Sequence, residues 1–145
     1  IVFYYLCRIM QLNIHPLKTT DYEEILCKWW KDWRWTPPPQ DFLPENGTGG
    51  LMVYDGDIPV VAGYLYNTNS NVVWIDFIVS NFQYKDKKNR KLAIKLLILA
   101  LEERTKQLGK YICYALIKNK SLVSIYKELG YTQGDAYSTE LIKRI

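Results

Sequence analysis

The segment from Lys87 to Gly109 constrains the fold of this chain more than any other part of the sequence. Its apolar residues recur with the 3.6-residue period of an α-helix, and Gly109 is a typical residue just beyond a helix end. The residues of this apolar stripe are Leu92, Leu96, Leu97, Ala100, Leu101 and Leu108. The helix follows soon after "VVWIDFIVS", residues 72–80, whose β-branched, almost continuously apolar composition predicts a central strand covered on both faces. The sequence therefore predicts a mixed core of helices and sheet.

The first turn of this helix carries an unusual cluster of positive charge, formed by Lys87, Lys88, Arg90 and Lys91. The helix dipole disfavours cations at an N-terminus, and only Asp86 supplies a negative charge there. Because unpaired backbone N–H groups at a helix start bind anions, one interpretation is a polyphosphate site with lysines at its rim. The alternative is that these cations form a solvated rim on an exposed turn.

The remaining segments complete an alternation of strands and helices. A loop rich in proline and glycine spans 36–50 and lacks any periodic pattern, which is typical of a functional loop. The predicted order is β–α–loop–β–β–β–α–β–α–β. Further strands are predicted over 10–17, 51–54, 58–67, 110–119 and 137–145, and further helices over 20–35 and 120–130.

Length and composition predict one folded domain over 1–145, with a net charge of +4 that is too small to indicate nucleic acid by itself. Residues 1–9 precede Met10 and are either translated upstream sequence or an added edge strand. This segment is too short to span a bilayer, and it lacks the pattern of a signal peptide.

The cysteines and the single histidine bear on metals and on the compartment. Cys7, Cys27 and Cys113 are widely spaced, and His15 is the only histidine. Their spacing fits neither a metal site nor a disulfide framework. We therefore expect no metal and a reducing, cytoplasmic location.

The C-terminal part of the chain resembles the GNAT superfamily of N-acetyltransferases. The resemblance rests on "NKSLVSIYKELGY", in which Asn119 precedes a short helix with Tyr126, followed by Gly130 and Tyr131. It covers roughly residues 10 to 145, and its specific part is 71 to 135. The resemblance implies an α/β (α+β) fold with a mixed, mostly antiparallel central sheet and helices on both faces.

The same resemblance implies a binding site for acetyl-CoA. The family's pyrophosphate turn reads Gln/Arg-x-x-Gly-x-Gly/Ala, and its best overlay here is "KNRKLA", with Lys91 in place of the first glycine. The segment between Val79 and this turn is longer than is usual in the family. The implied contacts are the backbone of Phe77, Ile78 and Val79 for the pantetheine arm, Lys88, Asn89, Arg90, Lys91, Leu92 and Ala93 for the pyrophosphate, and Asn119 and Tyr126 for the cofactor.

Two residues are candidates for acid and base. The resemblance places Tyr126 near the thioester sulfur, and a tyrosine that is protonated at neutral pH can donate to the leaving thiolate. Tyr126 also lies on the apolar stripe of its helix, so a packing role stays open.

Asp76 is the candidate base, because burial in the central strand would raise its pKa. Simple alternation places it opposite Phe77 and Val79. A structural carboxylate, or a water chain as base, are the alternatives.

The acceptor site is indicated least clearly. Trp29 and Trp33 lie one helical turn apart and could line an amine pocket, although we expect most of the tryptophans of this region to pack in the core. Asp41 and Glu45 in the long loop could attract a cation.

We therefore expect an acetyl-CoA-dependent N-acetyltransferase in which a primary amine attacks the thioester directly. The alternative is a non-catalytic module of the same fold that binds coenzyme A or another small ligand. The expected partner is an amine-bearing small molecule or protein. No nucleic acid or membrane partner is expected, and the chain is expected to be a monomer or a homodimer.

Overall fold

The computed structural model describes residues 11–136 and 139–145. Its strands are β1 (Leu12–Pro16), β2 (Gly50–Asp55), β3 (Ile58–Asn67), β4 (Val72–Ser80) and β5 (Ile112–Tyr114). Its helices are α1 (Cys27–Asp32), which continues a π-helical turn over Tyr22–Leu26, α2 (Lys87–Gln107) and α3 (Lys120–Glu128). Two short 3₁₀ turns, Gln40–Phe42 and Pro44–Gly47, lie in the long loop between α1 and β2.

The five strands form one sheet in the order β1-β2-β3-β4-β5. The first three pairings are antiparallel, and β4 pairs with β5 in parallel. A parallel neighbour requires a crossover connection, which α2 supplies. The predicted mixed, mostly antiparallel sheet is confirmed.

Helices cover both faces of the sheet, as predicted. On one face, α2 and α3 bury Leu97, Leu101 and Tyr126 against Val61 and Ile75 of the sheet. On the other face, the tryptophans of α1 pack against β2, β3 and β4. The residues of this second cluster include Leu26, Trp29, Trp30, Met52, Ala62, Tyr64 and Val79. Since β2, β3 and β4 contribute to both clusters, they form the buried centre of the sheet.

Helix α2 begins and ends where its sequence predicts. The side chain of Asp86 caps the helix by accepting a hydrogen bond from the backbone N–H of Asn89, at 3.0 Å. This bond satisfies one of the donors that a helix start leaves unpaired. Gly109 follows the helix with φ of 75°, a conformation that favours glycine.

The C-terminal strand was predicted wrongly. Residues 139–145 contain no strand, and residues 137–138 of the prediction lie outside the described part of the chain. The alternation of apolar and polar residues persists, but Leu141 and Ile142 are 89% and 66% exposed. A strand forms only when its backbone groups pair with a neighbour, and no backbone hydrogen bond between residues 139–145 and the described strands is present.

Strand β5 is also shorter than expected, because the strand predicted over 110–119 pairs only at Ile112–Tyr114. The part of the first predicted strand before Gln11, and residues 1–9, lie outside the described ranges. Within the described residues, no helix has the length and hydropathy needed to cross a membrane.

Candidate functional site

Strand β4 contains a bulge at its centre. Tyr64 of β3 is the partner of Asp76, but Ala62, two residues earlier in β3, is the partner of Val79, three residues later in β4. At the bulge Phe77 has a positive φ of 54°, which is unfavourable for an aromatic residue. Such bulges interrupt a ladder locally and re-aim the side chains beside them. As a result, the simple alternation expected for Asp76, Phe77 and Val79 does not hold along this strand.

The other edge of β4 opens just before the bulge. Parallel pairing with β5 involves only Val72, Val73 and Trp74, so no strand within 11–136 or 139–145 pairs with β4 on this side from Ile75 to Ser80. We call the space beside this free edge the β4–β5 gap. An extended ligand can add to such an edge as if it were a further strand. The three residues predicted to pair with the pantetheine arm, Phe77, Ile78 and Val79, all lie along it.

Trp74 stands at the closed end of the gap. Its ring contacts Tyr114 of β5 edge-to-face, with centroids 5.3 Å apart. Its indole Nε1 is buried and has no hydrogen-bond partner in the described part of the chain. The gap therefore ends against an aromatic pair that carries one unused donor.

Asp76 lies at the bulge, partly buried. Its Oδ1 accepts a hydrogen bond from the backbone N–H of Phe77, at 2.7 Å. Burial raises the pKa of Asp76, the bond from the Phe77 N–H lowers it, and the nearby charge of Glu140 raises it further. The pKa therefore moves in the direction expected for a base that exchanges protons closer to neutral pH.

Tyr126 of α3 is 3% exposed and packs edge-to-face against Tyr131, with centroids 4.8 Å apart. Burial raises the pKa of Tyr126, and the charges of Asp76, Cys113 and Glu102 raise it further. The hydroxyl therefore stays protonated at neutral pH. The effect of Asp76 also means that the two candidate groups are close enough to interact electrostatically.

Tyr126 also lines a cleft of about 660 Å³ between β5, α3 and the segment 131–136. Asn119 caps α3, and its side chain accepts a hydrogen bond from the backbone N–H of Leu122 at 3.1 Å. The structure thus places Asn119 at the start of the helix that carries Tyr126. Its predicted contact with a cofactor stays a prediction.

The side chains at the start of α2 mostly bind the protein itself. Asn89 is 1% exposed and donates to the carboxylate of Asp55, at 3.2 Å, and to the hydroxyl of Tyr84. Arg90 donates to the Tyr84 carbonyl oxygen at 3.2 Å, and Lys91 pairs with Glu128 at the same distance. Asn89 thus links the start of α2 to β2, Arg90 links it to the preceding turn, and Lys91 links it to α3.

Lys87 and Lys88 differ from their neighbours, because both are exposed and make no ion pair with a described residue. Their backbone N–H groups are the first two of the helix and have no acceptor among the described residues. Leu92 and Ala93 face the core. Of the six predicted pyrophosphate residues, Lys88 is thus the one with an uncommitted side-chain charge.

Several neighbours of the bulge were not predicted from the sequence. Phe42 and Tyr66 contact the ring of Phe77, with centroids 5.8 and 6.4 Å away, and the Tyr66 hydroxyl donates to the Phe42 carbonyl oxygen at 3.0 Å. The side chains of Asp41 and Arg144 form a two-bond ion pair at 2.9 and 3.1 Å. The long loop and the C-terminal segment therefore meet on this side of β4.

The predicted tryptophan pocket does not form as a pair. Trp29 is buried in the core, whereas the indole of Trp33 donates to the carbonyl oxygen of Ser80, at 2.8 Å.

Glu45 is exposed with a positive φ of 51°. No group of three or more potential metal ligands occurs within 11–136 and 139–145.

No protein-family profile matches the chain, and no curated protein matches it. Solved structures do match in fold. An aminoglycoside acetyltransferase from an uncultured soil metagenomic sample matches with a TM-score of 0.64 and 12% identity, over 93% of this chain and 97% of that one. A GCN5-related N-acetyltransferase from Ralstonia eutropha JMP134 matches with a TM-score of 0.63 and 13% identity, over 90% and 98%.

A third match is the N-acetylglutamate synthase of Neisseria gonorrhoeae, which was solved in complex with coenzyme A and L-arginine. Its TM-score is 0.68 at 12% identity, over 86% of this chain and 28% of that one. The chain therefore has the GNAT fold, as the sequence resemblance implied. At these identities the likeness concerns the fold alone.

Proposed function

We propose that this protein is an N-acetyltransferase that uses acetyl-CoA and passes the acetyl group directly to an amine. The observation that carries the proposal is the β4–β5 gap, with Asp76 at the bulge on one strand and Tyr126 on the helix that follows the other. The GNAT fold supports the same function. Direct attack by the amine needs no covalent enzyme intermediate, and no histidine lies near Cys113 in sequence to activate its thiol.

The residues around the gap offer groups that coenzyme A could bind. The free edge of β4 offers backbone groups to the amides of the pantetheine arm. The backbone N–H groups and the ammonium groups of Lys87 and Lys88 lie at the helix start that follows, where a pyrophosphate would be favoured. When bound, acetyl-CoA supplies the thioester whose acetyl group is transferred.

In this proposal, Asp76 and Tyr126 divide the proton transfers between them. The Asp76 carboxylate takes a proton from the attacking amine nitrogen, directly or through a water molecule. The Tyr126 hydroxyl donates its proton to the departing sulfur, and solvent exchange returns both groups to their starting states. The raised pKa of each group suits its role, because Asp76 becomes a stronger base and Tyr126 stays protonated.

The bond between Asp76 and the Phe77 N–H links these roles to the backbone. The carboxylate Oδ1 accepts that bond and Oδ2 makes no hydrogen bond to a described residue, so in this proposal Oδ2 takes the proton. The bond also fixes the orientation of the carboxylate, which general-base catalysis requires. Phe77 thereby acts as a positioning residue for Asp76 through its backbone.

A second candidate is a non-catalytic module that binds coenzyme A or another small ligand. It is favoured by the start of α2, where Lys91 occupies the first glycine position of the family's turn and pairs with Glu128. Asn89 and Arg90 are likewise bound within the protein. Fewer groups are then free for the pyrophosphate than the family pattern implies.

Titration calorimetry with acetyl-CoA and with free coenzyme A tests whether the site exists. Under the proposal both bind in the micromolar range, and raising the salt concentration weakens both, because phosphate contacts by exposed lysines are screened. Failure of both ligands to bind would reject the acetyltransferase and the coenzyme A-binding module together. Binding without amine-dependent turnover would leave the module.

A further inference from the structure

An exposed group of aromatic side chains lies beside the turn that leads into α2. Trp33 and Trp35 are stacked with ring centroids 5.9 Å apart and an interplanar angle of 22°. Phe82 packs edge-to-face on Trp33 at 4.9 Å. We call these three residues the aromatic platform. Trp35 is 47% exposed and Phe82 is 40% exposed, so the platform presents aromatic surface to solvent.

The backbone holds the platform in place on the tryptophan side. The Trp33 indole donates to the carbonyl oxygen of Ser80, at the end of β4, and the Trp35 N–H donates to the Trp30 carbonyl oxygen at 2.8 Å. Arg34, between the two tryptophans, has a positive φ of 63° that reverses the chain and brings the rings together. The rings are therefore ordered before any ligand arrives.

The turn that carries Phe82 is fixed as well. Asn81 donates from its side chain to the Pro59 carbonyl oxygen at 2.9 Å, and it accepts from the Gln83 N–H at 3.0 Å. The Tyr84 N–H donates to the Asn81 carbonyl oxygen at 3.1 Å. Because these bonds hold the backbone of the turn, less conformational entropy is lost when a flat ligand stacks on Phe82.

One positive charge contacts the platform, and two more follow it closely in the sequence. The ammonium group of Lys85 lies over the Phe82 ring, 4.3 Å from its centroid. Lys87 and Lys88 follow two and three residues later, exposed and without an ion pair to a described residue. Aromatic rings next to uncommitted lysines complement a ligand that combines a planar base with phosphate.

We propose that the aromatic platform binds the adenine ring of coenzyme A, with Lys85 beside the phosphate groups of the nucleotide. This inference rests on the proposed function. Its main support is position: Phe82 and Lys85 belong to the turn that leads directly into the start of α2, where the pyrophosphate is proposed to bind. It also gives the chain a source of affinity where Asn89, Arg90 and Lys91 are engaged within the protein.

The test measures the affinity of Trp35→Ala and Phe82→Ala for two ligands by titration calorimetry. One ligand is coenzyme A, and the other is acetyl-pantetheine, which lacks the nucleotide. Loss of one stacking side chain should weaken coenzyme A binding by roughly tenfold in each variant. Binding of acetyl-pantetheine should be unchanged, since it never reaches the platform. Tyr111→Ala is the matched control, because Tyr111 is an aromatic residue, 74% exposed, at the start of β5 and outside the platform.

The outcomes separate this inference from the proposed function. If the unsubstituted protein binds coenzyme A and both platform variants bind it equally well, the adenine assignment is wrong while the proposed function stands. If the unsubstituted protein binds no coenzyme A, the proposed function fails and the assignment fails with it. A short single-stranded oligonucleotide that binds the protein and loses binding in Trp35→Ala, with coenzyme A binding unaffected, would reassign the platform to nucleic acid and overturn the proposal.

Discussion

The carboxylate of Asp76 accepts a hydrogen bond from the backbone N–H of Phe77, and Phe77 has a positive φ of 54°. The side chain thus satisfies a donor that the bulge removes from the sheet ladder. The same carboxylate carries a raised pKa, mainly because of burial. A partly buried charge at a strained backbone position is typical of functional sites, where stability is given up for chemistry.

The raised pKa predicts how Asp76 affects stability with pH. A carboxyl group whose pKa is higher in the folded than in the unfolded state favours folding while it is protonated. That contribution is present below the ordinary aspartate pKa of about 3.9 and is lost as the pH rises through the higher folded-state value. We therefore expect Asp76→Asn to be more thermostable than the unsubstituted protein at pH 7.

Thermal unfolding of the two proteins between pH 4 and pH 8 measures this effect. The difference in Tm should shrink as the pH falls, because Asp76 then becomes neutral in both states. Asparagine can still accept the bond from the Phe77 N–H, so the bulge should survive. An Asp76→Asn variant that is less stable at pH 7 than at pH 4, relative to the unsubstituted protein, would show that the ionised carboxylate stabilises the fold.

Tyr126→Phe should slow acetyl transfer by about 10²-fold or more while leaving coenzyme A affinity unchanged. The phenyl ring keeps the contact with Tyr131, and the loss is confined to the hydroxyl that would protonate the sulfur. The check is kcat measured beside the dissociation constant for coenzyme A. Tyr22→Phe is a suitable control, because it also removes one hydroxyl, which donates to the Pro38 carbonyl oxygen. Full activity in Tyr126→Phe would leave Tyr126 with a packing role only.

Reversing the charge of both Lys87 and Lys88 tests the phosphate site at the helix start. The double variant Lys87→Glu with Lys88→Glu should bind coenzyme A roughly tenfold less tightly, since each exposed pair contributes up to about 1 kcal/mol. Its stability should hold or rise slightly, because acidic residues suit a helix N-terminus.

The control for this experiment changes the net charge equally at two other positions. Lys18→Glu with Lys106→Glu alters exposed lysines outside the helix start. If the control double variant weakens coenzyme A binding as much as the Lys87 and Lys88 double variant does, the overall charge explains the effect and no local phosphate site is needed.

Asn89→Ala should reduce the free energy of unfolding by about 1–3 kcal/mol, the usual cost of leaving buried polar partners unsatisfied. The amide donates to both Asp55 and Tyr84, while the Tyr84 hydroxyl donates to Asp55 at 2.7 Å. Urea unfolding gives the measurement. A cycle with Tyr84→Phe and the double variant should show coupling between the two positions. Additive losses would mean that the three residues do not act as one network.

Features of this fold that depend on neighbouring residues could be predicted from the sequence, and features that depend on contacts between distant residues could not. Helix α2 was predicted because its apolar period and its terminal Gly109 are both local signals. The bulge at Phe77 was not, since "WIDFIVS" contains no glycine and the irregularity arises from register with β3. The burial of Asn89, an amide within a basic run, could not be predicted either. It depends on Asp55, which is distant in the sequence, and on Tyr84, which nothing in the sequence marks as a partner.

The C-terminal segment shows the same limit. Apolar and polar residues alternate over 139–145 with the period of a strand. A strand also needs a neighbouring strand to pair with, and the alternation does not show whether one is available. The acid and base candidates could be named from the family resemblance and from the apolar setting of Asp76. The effect of the Asp76 charge on the pKa of Tyr126 could not be predicted, because it depends on how β4 and α3 pack in the fold.

The most direct test of the proposed acetyl transfer is release of free coenzyme A thiol from acetyl-CoA, measured with and without a panel of primary amines. We expect release that depends on an amine, falls as the pH drops through the raised pKa of Asp76, and is lost in Asp76→Asn although that variant still binds coenzyme A. Tight binding of acetyl-CoA with no release in the presence of any amine would contradict it, and the protein would then be a binding module with the fold of an acetyltransferase.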